Sequence, residues 1–223
     1  MLSTKTLDFL EDLKKNNHRE WFQENKSRYE TAKKDYYQLI ADLLEAMVPH
    51  DSTLEALEPK DCAFRINRDI RFSKDKTPYK THLGVWMTIG KKSGLFAGYY
   101  IHMEKGASFV GGGLYMPPAE ELKKVRKEIA YFAEDLEEIL NEPSFKKIYG
   151  TLDRNDAIAL KNAPKGYDVN HPAIEYLKLK SFTATHQFDD KLLTSKDFVS
   201  TMVTNLVALK PLIDYLNRGL TTE

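Results

Sequence analysis

The chain has 223 residues, 42% apolar and 30% charged, which is the balance of a folded protein rather than a disordered or collagen-like one. Lys plus Arg is 33 and Asp plus Glu is 33, so no net charge draws it to nucleic acid or to an anionic membrane. A single cysteine, Cys62, excludes an intrachain disulfide framework, and no run approaches the roughly 18 apolar residues of a membrane span.

The first block reads as helical. Leu7, Leu10 and Leu13 recur at three, with Ser3 or Thr4 as the N-cap. A second helical pattern runs from about Arg19 to Met47, with a break expected near Asn25 to Ser27. Its stripe is Tyr29, Ala32, Tyr36, Leu39, Ile40, Leu43 and Met47. Val48-Pro49 ends it, because the residue before proline is pushed out of the α region.

The second block alternates with period two. Residues 64–72 read as a strand, with Phe64, Ile66, Arg68, Ile70 and Phe72 on one face and Arg65, Asn67, Asp69 and Arg71 on the other. Further strands are expected at Leu83 to Gly90, Phe96 to Glu104 and Ser108 to Met116. The short links Lys91 to Gly94 and Lys105-Gly106 suit hairpin turns, so these strands should pair antiparallel as a meander.

The third block returns to helix. Pro117-Pro118 suits a helix start, and one helix is expected from 117 to 142, stopped by Pro143. A short helix from about Pro172 to Leu179, a strand from Phe182 to Phe188 and a last helix from Ser195 to Asn217 follow, with Gly219 as a C′ residue. Helices before and after a run of strands predict one α+β domain over residues 1–223: an antiparallel meander sheet flanked by N-terminal and C-terminal helices.

Charge is segregated along the chain. Residues 60–80 hold seven basic and three acidic side chains, a balance of 7 − 3 = +4. Residues 117–142 hold four basic and eight acidic ones, 4 − 8 = −4. Arg68 stands out, because strict alternation places it among core positions, where an unpaired charge costs several kcal/mol. It requires a bulge, a carboxylate from another element such as Glu104 or the 117–142 helix, or a cleft. The run Ser73 to Lys80 reads as a turn whose lysines could hold phosphate or carboxylate.

Gly111-Gly112-Gly113 within a strand pattern marks a close backbone approach, by a ligand or by packed protein. No Walker loop, no GxGxxG unit and no GxSxG elbow is present. The six histidines show no metal-binding spacing with acids, so no metal site is expected and no cofactor is specified. His102 shares a strand face with Tyr100 and Glu104 and is a candidate site base. Cys62 has Asp61 beside it, which disfavours a thiolate, so it reads as a packed side chain. Met1 to Leu10 lacks the basic-then-apolar pattern of a secretory signal, and with the lone thiol this predicts a cytoplasmic location.

Four blocks of residues resemble a known family. They are Asn16-Asn17-His18-Arg19-Glu20-Trp21-Phe22 with Asn25-Lys26 and Tyr29; the run from Arg68 to Thr81; Gly111-Gly112-Gly113 to Pro117 with Arg126; and Pro164-Lys165-Gly166-Tyr167 to His171-Pro172. Together they are similar to the family called domain of unknown function 2461. The resemblance implies a single-domain, largely bacterial protein with no assigned reaction, and it brings no catalytic residues to transfer.

The favoured reading is a basic cleft that binds a phosphorylated or carboxylated small molecule. Arg65, Arg68, Arg71, Lys74, Lys76 and Lys80 would supply the charge, Tyr79 and Tyr100 the walls, and Arg126 a further cation from the helix after the glycines. Asp69 would orient the arginines. The alternatives are an enzyme on such a substrate, a hydrolase or transferase with Asp69 or His102 as base, and a nucleic-acid-binding or purely structural and interaction role. Nucleic acid is the weaker partner and a membrane is not expected.

Overall fold

The structure is a computed structural model, and it describes residues 1–90 and 95–222. The protein is α+β, with a four-stranded antiparallel sheet in the order β1-β2-β3-β4, formed by Leu83–Thr88, Gly98–Met103, Phe109–Leu114 and Phe182–Gln187. The chain divides into two compact units, and the strands pass through both. The first takes Met1–Met87, Tyr100–Val110 and Gln187–Thr204, and the second takes the remainder.

The first unit begins with three helices: α1 (Thr4–Lys15), α2 (Arg19–Glu24) and α3 (Lys26–Met47). Ser3 caps α1, its hydroxyl accepting from the Thr6 N–H at 3.3 Å. The expected break falls at Asn25, whose side chain donates to the Trp21 carbonyl at 2.9 Å and closes α2. The stripe of α3 packs inward as its period requires, and the helix ends at Met47, ahead of Pro49. Phe9, Leu10, Leu13, Phe22, Ala32, Ile66 and Tyr79 form one buried cluster, with Trp21, Tyr29 and Leu83 packed against it. Each leucine, isoleucine and phenylalanine of the cluster contributes roughly 1.5–3 kcal/mol when taken out of water.

A short 3-10 turn (Ser52–Leu54) and α4 (Pro59–Cys62) lead into a long connection, residues 63–82. Here the expected strand over 64–72 is corrected. The segment makes only isolated bridges, Ala63 with Val85 and Asn67 with Tyr79. Phe72, placed on the core face by alternation, is 97% exposed, and Phe64 is 40% exposed. Of the apolar face only Ile66 is buried. The alternation fails because the chain pairs briefly with its own return path: Arg68 N–H donates to Pro78 O at 2.9 Å and Lys80 N–H to Ile66 O at 2.8 Å. Tyr36 of α3 fixes the start of the connection. Its hydroxyl accepts from Phe64 N–H at 3.1 Å and donates to the Gly84 carbonyl.

The hairpin link after β2 is as expected: Ala107 N–H returns to Glu104 O at 3.0 Å, and Gly106 takes a φ of 78°. The other expected link, Lys91 to Gly94, lies outside the described residues.

In the second unit the single helix expected over 117–142 is two helices, α5 (Ala119–Tyr131) and α6 (Ala133–Asn141), because Phe132 leaves the helical region at φ −129°, ψ 44°. Pro143 does not only stop a helix; it opens α7 (Pro143–Tyr149), where a missing N–H is harmless and Glu142 caps Ser144 and Phe145. The helix near Pro172 is a single turn, α8 (Ile174–Leu177). The last helix, α9, spans Phe198–Thr221, so Gly219 lies inside it rather than past its end. A methyl there would stand 2.8 Å from the Glu128 Cβ, so closeness, not capping, explains that glycine. The triple glycine also answers to packing. A Cβ on Gly112 would meet Gly98 O at 2.6 Å, and one on Gly113, whose φ is 117°, would collide with Phe182 O.

Candidate functional site

The charged connection 63–82 is organised by Arg68 and Asp75. The Arg68 side chain is 26% exposed, and its guanidinium bonds through Nη1 to the Asp75 carboxylate, the Thr77 hydroxyl and, at 3.2 Å, the Thr77 carbonyl. Asp75 also accepts from Thr77 N–H at 2.9 Å. That backbone bond, then the Arg68 bond, holds its carboxyl down to about 2. The partner that Arg68 requires therefore comes from seven residues further along its own loop, not from Glu104 or the 117–142 segment.

Of the other expected cations, Lys80 lines the same hollow as Arg68, and the rest are engaged or exposed elsewhere. Arg71 is an exposed residue held bidentate by Asp69, Nε to Oδ1 at 3.0 Å and Nη2 to Oδ2 at 2.7 Å. Asp69 is thereby held below the usual carboxylate range, with both oxygens engaged, which makes it a poor base. Lys76 donates to Ile70 O at 2.9 Å, and Arg65 and Lys74 are exposed. Lys80 lies over the Phe64 ring, 5.0 Å from its centroid. Arg126 belongs to the second unit, where Nε donates to Leu177 O at 2.8 Å and Nη2 to Leu179 O at 3.1 Å. It closes the end of α8.

Arg68, Asp69, Asp75, Thr77, Tyr79, Lys80, Thr81 and His82 line a hollow of about 450 Å³ with Asn17. A second cavity, of about 240 Å³, is walled by aromatic rings including Tyr29, Tyr36, Tyr37 and Phe64. Lys80 and His82 line both. Tyr79 is buried with its ring stacked on Phe22 at 4.0 Å, so it serves as floor rather than wall.

Beside His82, the outward face of β2 carries a polar row at period two. The Tyr100 hydroxyl is 3.1 Å from His102 Nδ1, and His102 Nε2 is 3.3 Å from Glu104 Oε2. Lys14 of α1 donates to the other Glu104 oxygen at 3.2 Å. Phe109 of β3 stacks on the His102 ring at 4.9 Å and 13°, and the ring of His82, the residue before β1, lies 4.4 Å away. Burial and the neighbouring His102 push His82 down to about 4, so it is neutral at pH 7. Burial raises the Glu104 carboxyl, but the bonds from His102 and Lys14 outweigh it and leave it below the ordinary value. Burial also raises the Tyr100 phenol. One ligand atom from each of His82, His102 and Glu104 lies within 4.8 Å of the others, a set able to hold a cation.

His82 is absent from the sequence reading because it stands far from His102 in the chain. Adjacency of β1 and β2 brings them together, and the meander register held the only signal that could have found the pair.

Against known families, residues 5–215 match the model described as conserved hypothetical protein (DUF2461). The chain belongs to DUF2461. Neither the curated proteins nor the solved structures gave a match. In this DUF2461 chain the residues noted from sequence divide into two tasks. Asn17, Trp21, Phe22, Tyr29 and Tyr79 build the support, whereas Arg68, Asp75, Thr77 and Lys80 form the wall of the hollow. No helix among the described residues is long and apolar enough to cross a membrane.

Proposed function

We propose that the hollow beside Arg68 binds a small molecule carrying a phosphate or carboxylate group. The observation that carries this reading is the one-sided grip on Arg68. Among the described residues, its hydrogen bonds all leave from Nη1, so Nε and Nη2 remain as donors on a guanidinium that is already held in place. A fixed fork of this kind suits a bidentate oxyanion, and little freedom is lost when one binds. Lys80 and Thr81 line the same space and add a charge and a hydroxyl, while the Thr77 hydroxyl is already given to Asp75.

The lining cations, Arg68 and Lys80, are matched by Asp69 and Asp75, so the charge comes to 2 − 2 = 0. Selectivity then rests on directed hydrogen bonds rather than on a broad positive field. That weighs against a nucleic-acid backbone as the partner, because such binding draws on many phosphate contacts at once. The buried thiol of Cys62 suits a reducing cytoplasm.

A second reading, a hydrolase or transferase on the same class of molecule, rests on the alignment of Tyr100, His102 and Glu104 next to His82, which lines the hollow. A screen of phosphomonoesters and carboxylic esters on wild type and His102→Ala tests it, and no turnover by wild type would remove it.

The binding reading is tested by titrating chelator-treated protein calorimetrically with inorganic phosphate and with succinate. One saturable site for either is expected, weakened at least about tenfold in Arg68→Lys, which keeps the charge but loses the fork. If wild type binds neither anion, or Arg68→Lys binds as well as wild type, the reading fails and the Arg68 network is structural only.

A further inference from the structure

We propose that His82, His102 and Glu104 form a binding site for one divalent transition-metal cation of the zinc type. Two imidazoles and one carboxylate are a donor set that such ions take, with further coordination positions left for water or substrate.

The three residues come from the start of β1 and the end of β2, two neighbouring strands, and are held by different means. His102 and Glu104 share one face of the β2 line at a spacing of two, and His82 immediately precedes β1. The separation of His102 Nε2 and Glu104 Oε2, 3.3 Å, already matches the distance of about 3.4 Å between two ligand atoms on a tetrahedral ion with bonds near 2.1 Å. All three ligand atoms lie within 4.8 Å, so rotation of the His82 side chain toward the other two would complete the set.

The surroundings orient the donors. A metal on Nε2 would replace the proton that His102 gives to Glu104, and the Tyr100 hydroxyl, 3.1 Å from Nδ1, can then accept the N–H at that other nitrogen and orient the ring. Phe109 stacks on the ring and limits its rotation. Glu104 divides its oxygens: Oε1 takes Lys14 at 3.2 Å, and Oε2 faces the histidines. Lys14, Lys80 and Arg68 are the cations near this face; Glu104 takes Lys14 and Asp75 takes Arg68. His82 also lines the hollow, so the ion would stand at its wall, where an oxyanion could reach both Arg68 and the metal.

The site stands or falls independently of the anion reading, because metal binding is measured without phosphate and anion binding on chelator-treated protein. Full-length protein is titrated with Zn²⁺ calorimetrically, and Co²⁺ absorption reports the ligand geometry. One equivalent is expected to bind in wild type. His82→Ala, His102→Ala and Glu104→Gln should each weaken it at least about tenfold, and Tyr100→Phe, which keeps every ligand, about tenfold through the lost orientation. His50→Ala, at an exposed histidine on the turn after α3, should bind like wild type. Circular dichroism confirms that each variant is folded, and Glu104→Gln, close to isosteric, decides the matter if a histidine variant unfolds. Absence of saturable Zn²⁺ binding in wild type overturns the proposal. So does equal affinity in wild type and folded Glu104→Gln, or a loss in His50→Ala as large as in His102→Ala.

Discussion

Asn17 and Tyr79, 62 positions apart, exchange two hydrogen bonds: the Asn17 amide donates to the Tyr79 carbonyl at 2.9 Å, and its side-chain oxygen accepts from Tyr79 N–H at 3.1 Å. One side chain thus satisfies a residue's main chain as a neighbouring strand would. Asn17→Ala removes both partners from a part-buried place. Unfolding in urea should show a loss of about 1–3 kcal/mol, whereas a change within error would mean that the loop is held by packing alone.

Arg126 offers a contrast in the second unit. Its guanidinium holds the Leu177 and Leu179 carbonyls, and burial lowers its pKa from the ordinary arginine value. Arg126→Met should cost about 1.5–3 kcal/mol of stability and leave phosphate binding unchanged. Weaker binding in a variant of unaltered stability would return this residue to the ligand site.

Two glycines separate strain from crowding. Gly106 and Gly113 both have positive φ, 78° and 117°, but only Gly113 is crowded by backbone. Gly106→Ala should lose about 1–2 kcal/mol through strain alone. Gly113→Ala must also displace the Phe182 carbonyl and should lose more than about 3 kcal/mol, or fail to fold. Equal melting temperatures for the two variants would contradict this account.

Asp75 supplies the pH dependence. Its carboxyl titrates near 2 when folded and at an ordinary 3.8 otherwise. A folded value below the unfolded one means a contribution that is complete above about pH 4 and lost as pH falls toward 2. The melting-temperature gap between wild type and Asp75→Asn should be constant above about pH 4 and close below it. A gap that widens in acid would reverse the assignment.

The helices α1 to α3, the three-strand meander and β4 were legible because each has its own period and stop signal, such as the asparagine at 25 or the proline at 49. Residues 64–72 misled, because alternation alone does not show whether a partner strand exists, and the loop's hydrogen bonds run to residues 75–80 instead. Arg68 was rightly singled out as needing a partner, yet the source of that partner depended on the fold of the loop. The basic run looked like a cleft in one dimension. In space Asp69 takes Arg71 and Asp75 takes Arg68, both within the same connection. His102 with Tyr100 and Glu104 could be read from strand spacing, but His82 could not, since only strand pairing places it there.

The connection 63–82 is anchored at Phe64, Ile66 and Tyr79, while its tip around Phe72 stands in solvent. That contrast gives a spectroscopic handle. Cys62 is the only native thiol and is fully buried, so Ser73→Cys would provide a single accessible attachment point. A fluorophore coupled there would ride on the same loop as Arg68 and Asp75, and its emission would report whether added phosphate or succinate reaches the hollow.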